Sequence, residues 1–282
     1  MTRQPSNSQA LPGVTDLLAV LACVLLLTAE MAQAQSSPRA RAIEFWDDAT
    51  PGSRLTPNHS EWQRILDAYL VDDHPSAVNR FKYRAVTTDD EAALIDYLSY
   101  LQLLDPRQMN KDTQKAYWLN LYNATLVAYI ISSEPSGSIR GLNRGDFWRL
   151  TRFNIASQDL SFDDIEHGIL RPIFKDARIH FALFRGAVGW ANLSKEAYSG
   201  ERVEQQLDEA TRAFLTHPRA VEVEGEELRL SRLFKWKQDD FGDGNDGIKR
   251  YIQRYVEPER ADRIQRATRV RYQFDWSLNA VE

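Results

Sequence analysis

Apolar positions recur at helical spacing through the first half of the chain. Residues 60–70 place Trp62, Ile65, Leu66 and Tyr69 on one face, with Ser60 as the predicted N-cap. Residues 88–101 repeat the pattern with Leu94, Ile95, Leu98 and Leu101. This segment opens on Asp89 and Asp90, where the helix dipole favours negative charge. Asp105-Pro106 then breaks the chain. Residues 111–131 form the longest predicted helix, apolar nearly all round, with Ala116, Tyr117, Trp118, Leu119, Leu121, Tyr122, Leu126 and Val127. A helix of that composition is buried on most sides. A loop rich in Gly, Ser and Pro follows over 132–145.

The second half mixes periods. Ser161-Phe162-Asp163-Asp164 reads as a capping box opening a short helix to about Leu170, with Pro172 as its stop. Residues 178–184 (RIHFALF) alternate, with Ile179, Phe181 and Leu183 on one face, and predict a strand. A turn follows over 186–193. Residues 201–215 are an amphipathic helix that ends before His217-Pro218. Residues 220–223 and 227–230 flank Gly225 and predict a β-hairpin. Ser231 caps a further short helix, 247–256 form another, and 269–276 alternate as a last strand through Val270, Tyr272, Phe274 and Trp276. The sum is an α+β fold, a predominantly helical single domain over 42–282 with a small, mostly antiparallel sheet.

The N-terminus has a different character. Residues 17–27 (LLAVLACVLLL) are an unbroken apolar run, followed by Ala32-Gln33-Ala34. The run is short of the roughly 20 residues that span a bilayer, and the small-residue site fits processing. Residues 1–34 therefore read as a signal peptide, with an uncleaved anchor as the alternative, and 35–41 as a flexible linker. The expected destination is periplasmic or extracellular. Cys23 is the only cysteine, so cleavage after Ala34 leaves a mature chain without disulfide, thiolate ligand or thiol nucleophile. No second apolar stretch is long enough to be a transmembrane span.

Composition narrows the function classes. The chain has 282 residues, 43% apolar and 27% charged, with a formal net charge of -5. No basic block of the kind that contacts nucleic acid is present, so no nucleic-acid partner is expected. No Walker loop, Rossmann glycine fingerprint or Gly-x-Ser-x-Gly elbow occurs, and no cofactor is expected. Residues 243–247 (DGNDG) fail the EF-hand spacing, because Gly247 stands at the fifth position and Arg254 at the twelfth.

Three places could carry chemistry. Asn120 and Asn123 share a face of the long helix, where a buried amide must find partners; they either tie the helix to a neighbouring loop or orient a ligand or catalytic group. Glu166 and His167 stand on the short helix, with Asp163 one turn before His167, as a helix-end pair or as acid, base or orienting groups. His180 precedes a glycine-containing turn and reads as a structural residue or as a base serving that turn. Glu166 and His167 diverge by about 100° as helix neighbours. A metal ion shared by Glu166, His167 and His180 is therefore not expected.

These segments resemble the exported bacterial branch of the domain of unknown function 547 family. The likeness is carried by 115–124 (KAYWLNLYNA), 162–172 (FDDIEHGILRP), 178–193 (RIHFALFRGAVGWANL) and 275–278 (DWSL), and spans roughly 80–279. In many members the turn after the His segment reads Asn-Cys-Ala-Ser-Ile-Gly-Cys-Pro-Asn-Leu, which implies a thiol enzyme. Here the two Cys positions hold Arg185 and Trp190, and the Pro position holds Ala191, while Gly189, Asn192 and Leu193 remain. A thiol mechanism needs a thiolate. The resemblance therefore implies a non-catalytic, degenerate binding or scaffold module that keeps a polar pocket of Asn123, Glu166 and His180. Its partner would be a small molecule, a peptide or a protein. The alternative is a cysteine-independent hydrolase or acyl transferase with His180 as base.

Overall fold

The structure is a computed structural model that describes residues 38–141, 147–150 and 153–281. The expected signal peptide and the first residues of the expected linker lie outside the described residues. Pro38–Glu282 forms one compact unit.

The centre of that unit is the helix Lys111–Ser133 (23 residues), opened by Asn110, whose side chain accepts from the Thr113 N–H. From Thr113 to Ile131 only Thr125 and Tyr129 fall short of full burial, as expected of a helix that is apolar all round. Helix Ser60–Tyr69 packs against helix Thr88–Gln102, which in turn packs on the central helix. Thr87 caps Thr88–Gln102 by accepting from the Asp90 N–H. Two details differ from expectation. Ser60 is not the cap of its helix; its own N–H is held by Asn58 Oδ1 at 2.9 Å. Ile95 faces solvent rather than the core, at 49% exposure.

The sheets are small and mostly antiparallel. Leu70–Val71 pairs with Arg80–Phe81, and Phe153–Ile155 with Gln158–Leu160, both antiparallel. Val221–Glu224 and Glu227–Ser231 form the expected hairpin, and Arg269–Gln273 joins it parallel to Glu227–Ser231. Ser231 caps Arg232–Trp236 by accepting from the Leu233 N–H. Helix Gly244–Gln253 starts in the DGNDG stretch, and a further helix, Pro258–Arg266, was not expected. Beyond Gln273 the chain bridges to Ser138, Ala187 and Phe81 through Ser277, Leu278 and Ala280. This C-terminal segment thereby pins the turn after His180.

Two corrections bear on the site. Residues 178–184 are not a strand: Ile179–Ala182 is a short helix, and the chain becomes extended only at Leu183. The capping box at Ser161 is present, with Asp164 Oδ2 accepting from the Ser161 N–H and hydroxyl. However, Pro172 does not stop the helix. A π-helix, Asp164–Leu170, runs directly into an α-helical turn, Arg171–Phe174. The wider π pitch pairs the Arg171 N–H with Glu166 O. The next carbonyls face a proline without an N–H. Residues 38–43 supply what is missing: the Arg41 N–H donates to His167 O and the Ile43 N–H to Gly168 O, both at 2.9 Å. Gly168 permits this crossing, since a Cβ there would lie 2.6 Å from Ile43 Cδ1.

No helix among the described residues is long and apolar enough to cross a membrane.

Candidate functional site

The π-helix, the short helix Ile179–Ala182 and the helical turn Gln238–Phe241 bring a set of charged side chains together inside the protein. Glu166 and His180 are both 0% exposed. Glu166 Oε2 is ion-paired with the Arg185 guanidinium, and Oε1 with the Lys237 ammonium. His180 Nε2 lies 2.6 Å from Asp240 Oδ2 and donates to it in the tautomer this carboxylate selects. Its Nδ1 has no hydrogen-bond partner and sits 3.8 Å from Glu166 Oε1. Asp240 also receives Arg171 Nε at 2.6 Å and Nη2 at 3.1 Å. Arg171 Nη1 donates to His167 Nδ1 at 2.8 Å and to Pro38 O at 3.0 Å.

Electrostatics follow from this geometry. Burial alone would raise the Glu166 carboxyl, but the Arg185 and Lys237 charges outweigh it and hold the group well below the ordinary range. Burial pulls Lys237 down to about 8, against the pull of Glu166. Burial lowers His167 to about 3 and also lowers His180, although Asp240 works in the opposite direction on His180. Both imidazoles are therefore neutral near pH 7. Asp240 is held below its ordinary value because its bonds from His180 and Arg171 outweigh burial. Glu166 and Asp240 thus pair with Arg171, Arg185 and Lys237, while Asp163, whose carboxyl burial raises, lies 3.8 Å from His167 Nε2.

Arg185 completes the cluster from the turn. Its Cζ lies 4.1 Å from the Trp148 ring centroid, 5.4 Å from that of Trp190 and 5.9 Å from that of Tyr122. A guanidinium flanked by ring faces and locked on a carboxylate is held by both attractions at once. Trp190 is buried as well. Its indole N–H donates to Leu183 O at 2.8 Å, and its ring stacks on Trp236 at 5.9 Å.

The two asparagines do not reach this cluster through their amides. Asn123 Nδ2 donates to Ala182 O at 2.9 Å, and its Oδ1 accepts from the Phe184 N–H at 2.8 Å. Asn120 makes the same two-sided clamp on Tyr198, at 2.7 and 2.9 Å. Each amide meets a backbone N–H and C=O and so copies the pairing of a sheet edge. Asn123 fixes the segment between His180 and Arg185, which makes it a positioning residue for both.

Of the residues singled out from sequence, Glu166, His167 and His180 converge, with His167 Nε2 4.0 Å from Glu166 Oε1. The π pitch turns these neighbours toward one another more than an α-helix would. Even so, no cluster of three His, Cys, Asp or Glu side chains arranged to hold a metal ion occurs among the described residues. Sequence reading missed Arg171, Lys237 and Asp240. The signal available for Asp240 was Gln238-Asp239-Asp240 following a short capped helix, which marks no chemistry by itself.

Residues 106–215 match the family described as Protein of unknown function, DUF547. The matched segment contains the Asn clamps, Glu166, His167, His180 and Arg185, whereas Lys237 and Asp240 lie beyond it. No curated protein and no solved structure matches the chain.

Proposed function

We propose that this protein is an exported, non-catalytic binding module whose internal polar cluster is a closed ion-pair core rather than a reaction centre. One observation carries the reading: the half-buried Arg185 guanidinium occupies the turn after His180 and neutralises the fully buried Glu166. A guanidinium has no lone pair to offer as a nucleophile, and it stays protonated at any working pH. Glu166, doubly ion-paired, is a poor proton acceptor. Export is supported by the apolar run at 17–27 and the Ala-x-Ala site after it.

A second reading is favoured by the Asp240–His180 hydrogen bond, because a carboxylate that orients an imidazole is half of a nucleophile-activating relay. The other half, a hydroxyl or thiol in reach of Nδ1, has no counterpart in this turn. Ser194, the first hydroxyl downstream, donates instead to Glu196 O at 2.8 Å.

The deciding experiment is a panel of activated esters, peptides and amides offered to the purified mature protein and to His180→Ala. No turnover above that of His180→Ala is expected. Turnover that disappears in His180→Ala would establish the hydrolase or acyl-transferase reading instead.

A further inference from the structure

A surface cleft lies where the C-terminal segment crosses Gly189 of the turn. It has a volume of about 590 Å³ and is lined by Ser138, Arg140, Gly189, Arg219, Phe274 and Trp276, together with Gln273, Asp275 and Ser277. That size suits a small organic ligand of one to three rings.

Its wall is aromatic. Phe274 and Trp276 are half-buried and meet at 4.6 Å between ring centroids, and Trp236 lies 4.9 Å from the first and 5.5 Å from the second. Trp190 stacks behind Trp236. The cluster is thus braced from the core side and presents ring surface to the cleft.

Two cations stand at this wall without a carboxylate partner among the described residues. Arg140 is exposed, with its Cζ 5.4 Å from the Trp276 ring centroid. Arg219 gives Nη2 to Asn192 Oδ1 at 2.7 Å, and its Nε and Nη1 are buried with no hydrogen-bond partner, so it contributes charge from behind the wall. An exposed guanidinium without a carboxylate, such as Arg140, is a recognition element for an anion. Burial and the neighbouring Arg80 lower Arg219 to about 10, which leaves it charged at neutral pH. The single carboxylate in the cleft is Asp275, whose Oδ1 accepts from the Ser277 N–H at 2.8 Å. Two cations against one anion leave room for one further negative charge.

Asp275 also discriminates. An ionised carboxylate accepts hydrogen bonds only, so it repels a second anionic group and favours hydroxyl donors. With Gln273, Ser138 and Ser277 beside it, the rim is matched to a ligand with several hydroxyls. The ring faces are matched to a ligand body with a flat C–H surface.

We infer that this cleft binds a carboxylate-bearing saccharide, with the carboxylate on Arg140 and the Arg219 charge behind it, a sugar ring on Trp276 and a hydroxyl donating to Asp275. The inference rests on the binding-module reading and supplies its ligand class.

The test is a tryptophan-fluorescence titration of the mature protein with a galacturonate trisaccharide and with its carboxyl-reduced, neutral counterpart. Products are analysed in the same samples. Saturable quenching by the acidic sugar is expected, with binding about tenfold or more weaker for the neutral one and in Arg140→Gln. Trp276→Ala should abolish the quench; Arg140 is exposed, so Arg140→Gln keeps the fold and reports on binding alone. Equal binding of both sugars, indifference to Arg140→Gln, or no binding by folded protein would each overturn the assignment while leaving the non-catalytic reading intact. Cleavage of the bound saccharide would overturn the non-catalytic reading while leaving the cleft assignment standing.

Discussion

Arg185 and Glu166 meet as an ion pair inside the protein, one from the turn after His180 and the other from the middle of a π-helix. Their pairing links the two segments and closes the polar cluster. Lys237, 3% exposed, adds a second cation on the same carboxylate.

Removing one partner of such a pair strands the other. Arg185→Met should destabilise the protein by about 3–5 kcal/mol in urea unfolding, because Glu166 keeps its charge with half its compensation. Glu166→Gln added to Arg185→Met should recover more than half of that loss. Equal stability of the single and double variants would show that the pair is not coupled.

Asn123 should behave as a clamp. Asn123→Ala removes both bonds to residues 182 and 184 and leaves a backbone N–H and C=O unpaired. A loss of about 2–3 kcal/mol is expected. Asn123→Asp should lose nearly as much, since a carboxylate still accepts from the Phe184 N–H but repels Ala182 O.

Gly189 should not tolerate a side chain. A Cβ there would lie 2.6 Å from Asp275 N and 2.8 Å from Asp275 O, where the Gly189 N–H donates to Asp275 O at 2.9 Å. Gly189→Ala should cost about 1–3 kcal/mol. It should also speed amide hydrogen exchange at Val188 and Gly189 as the C-terminal segment lifts away.

Much of the helical frame was legible in the sequence, because the helices 60–69, 88–102 and 111–133 bury a continuous stripe or their whole surface. The segment 178–184 was misread for a physical reason. Residues 179–184 are buried on every side, so apolar alternation carries no information about period there. Helix Pro258–Arg266 escaped because Ile264 is its one buried side chain; only Pro258 at its start and the arginines at its end marked it. Within the site, Glu166, His167 and His180 could be singled out by residue type. Arg171, Lys237 and Asp240 could not, since charge pairing across dozens of residues leaves no periodic trace. Arg185 was visible only as the residue at a position where the resemblance implies a cysteine, whereas its place is that of the counter-ion to Glu166.

Acid should unfold the protein in a defined window. His167 is depressed from 6.5 to about 3, so below pH 6.5 the unfolded chain takes up a proton that the folded state refuses. Stability is therefore full above pH 6.5 and falls as pH drops toward 3, by on the order of a few kcal/mol. Glu166 and Asp240, both lowered, add to the loss below their unfolded values of 4.5 and 3.8. Urea midpoints should drop between pH 7 and pH 4.5, and His167→Asn, which keeps an acceptor for Arg171, should lessen that slope, with His59 and His180, also lowered by burial, carrying the rest. An unchanged slope would place the titration elsewhere.

The most direct measurement is nitrogen-15 NMR of the His180 imidazole from pH 5 to 8. A closed, charge-satisfied core predicts a ring that is neutral at pH 7 and takes a proton only below the ordinary imidazole value, with the proton on Nε2 toward Asp240 and Nδ1 bare. A His180 that titrates at or above that ordinary value, with a proton exchanging rapidly with water, would be a poised general base and would contradict the account.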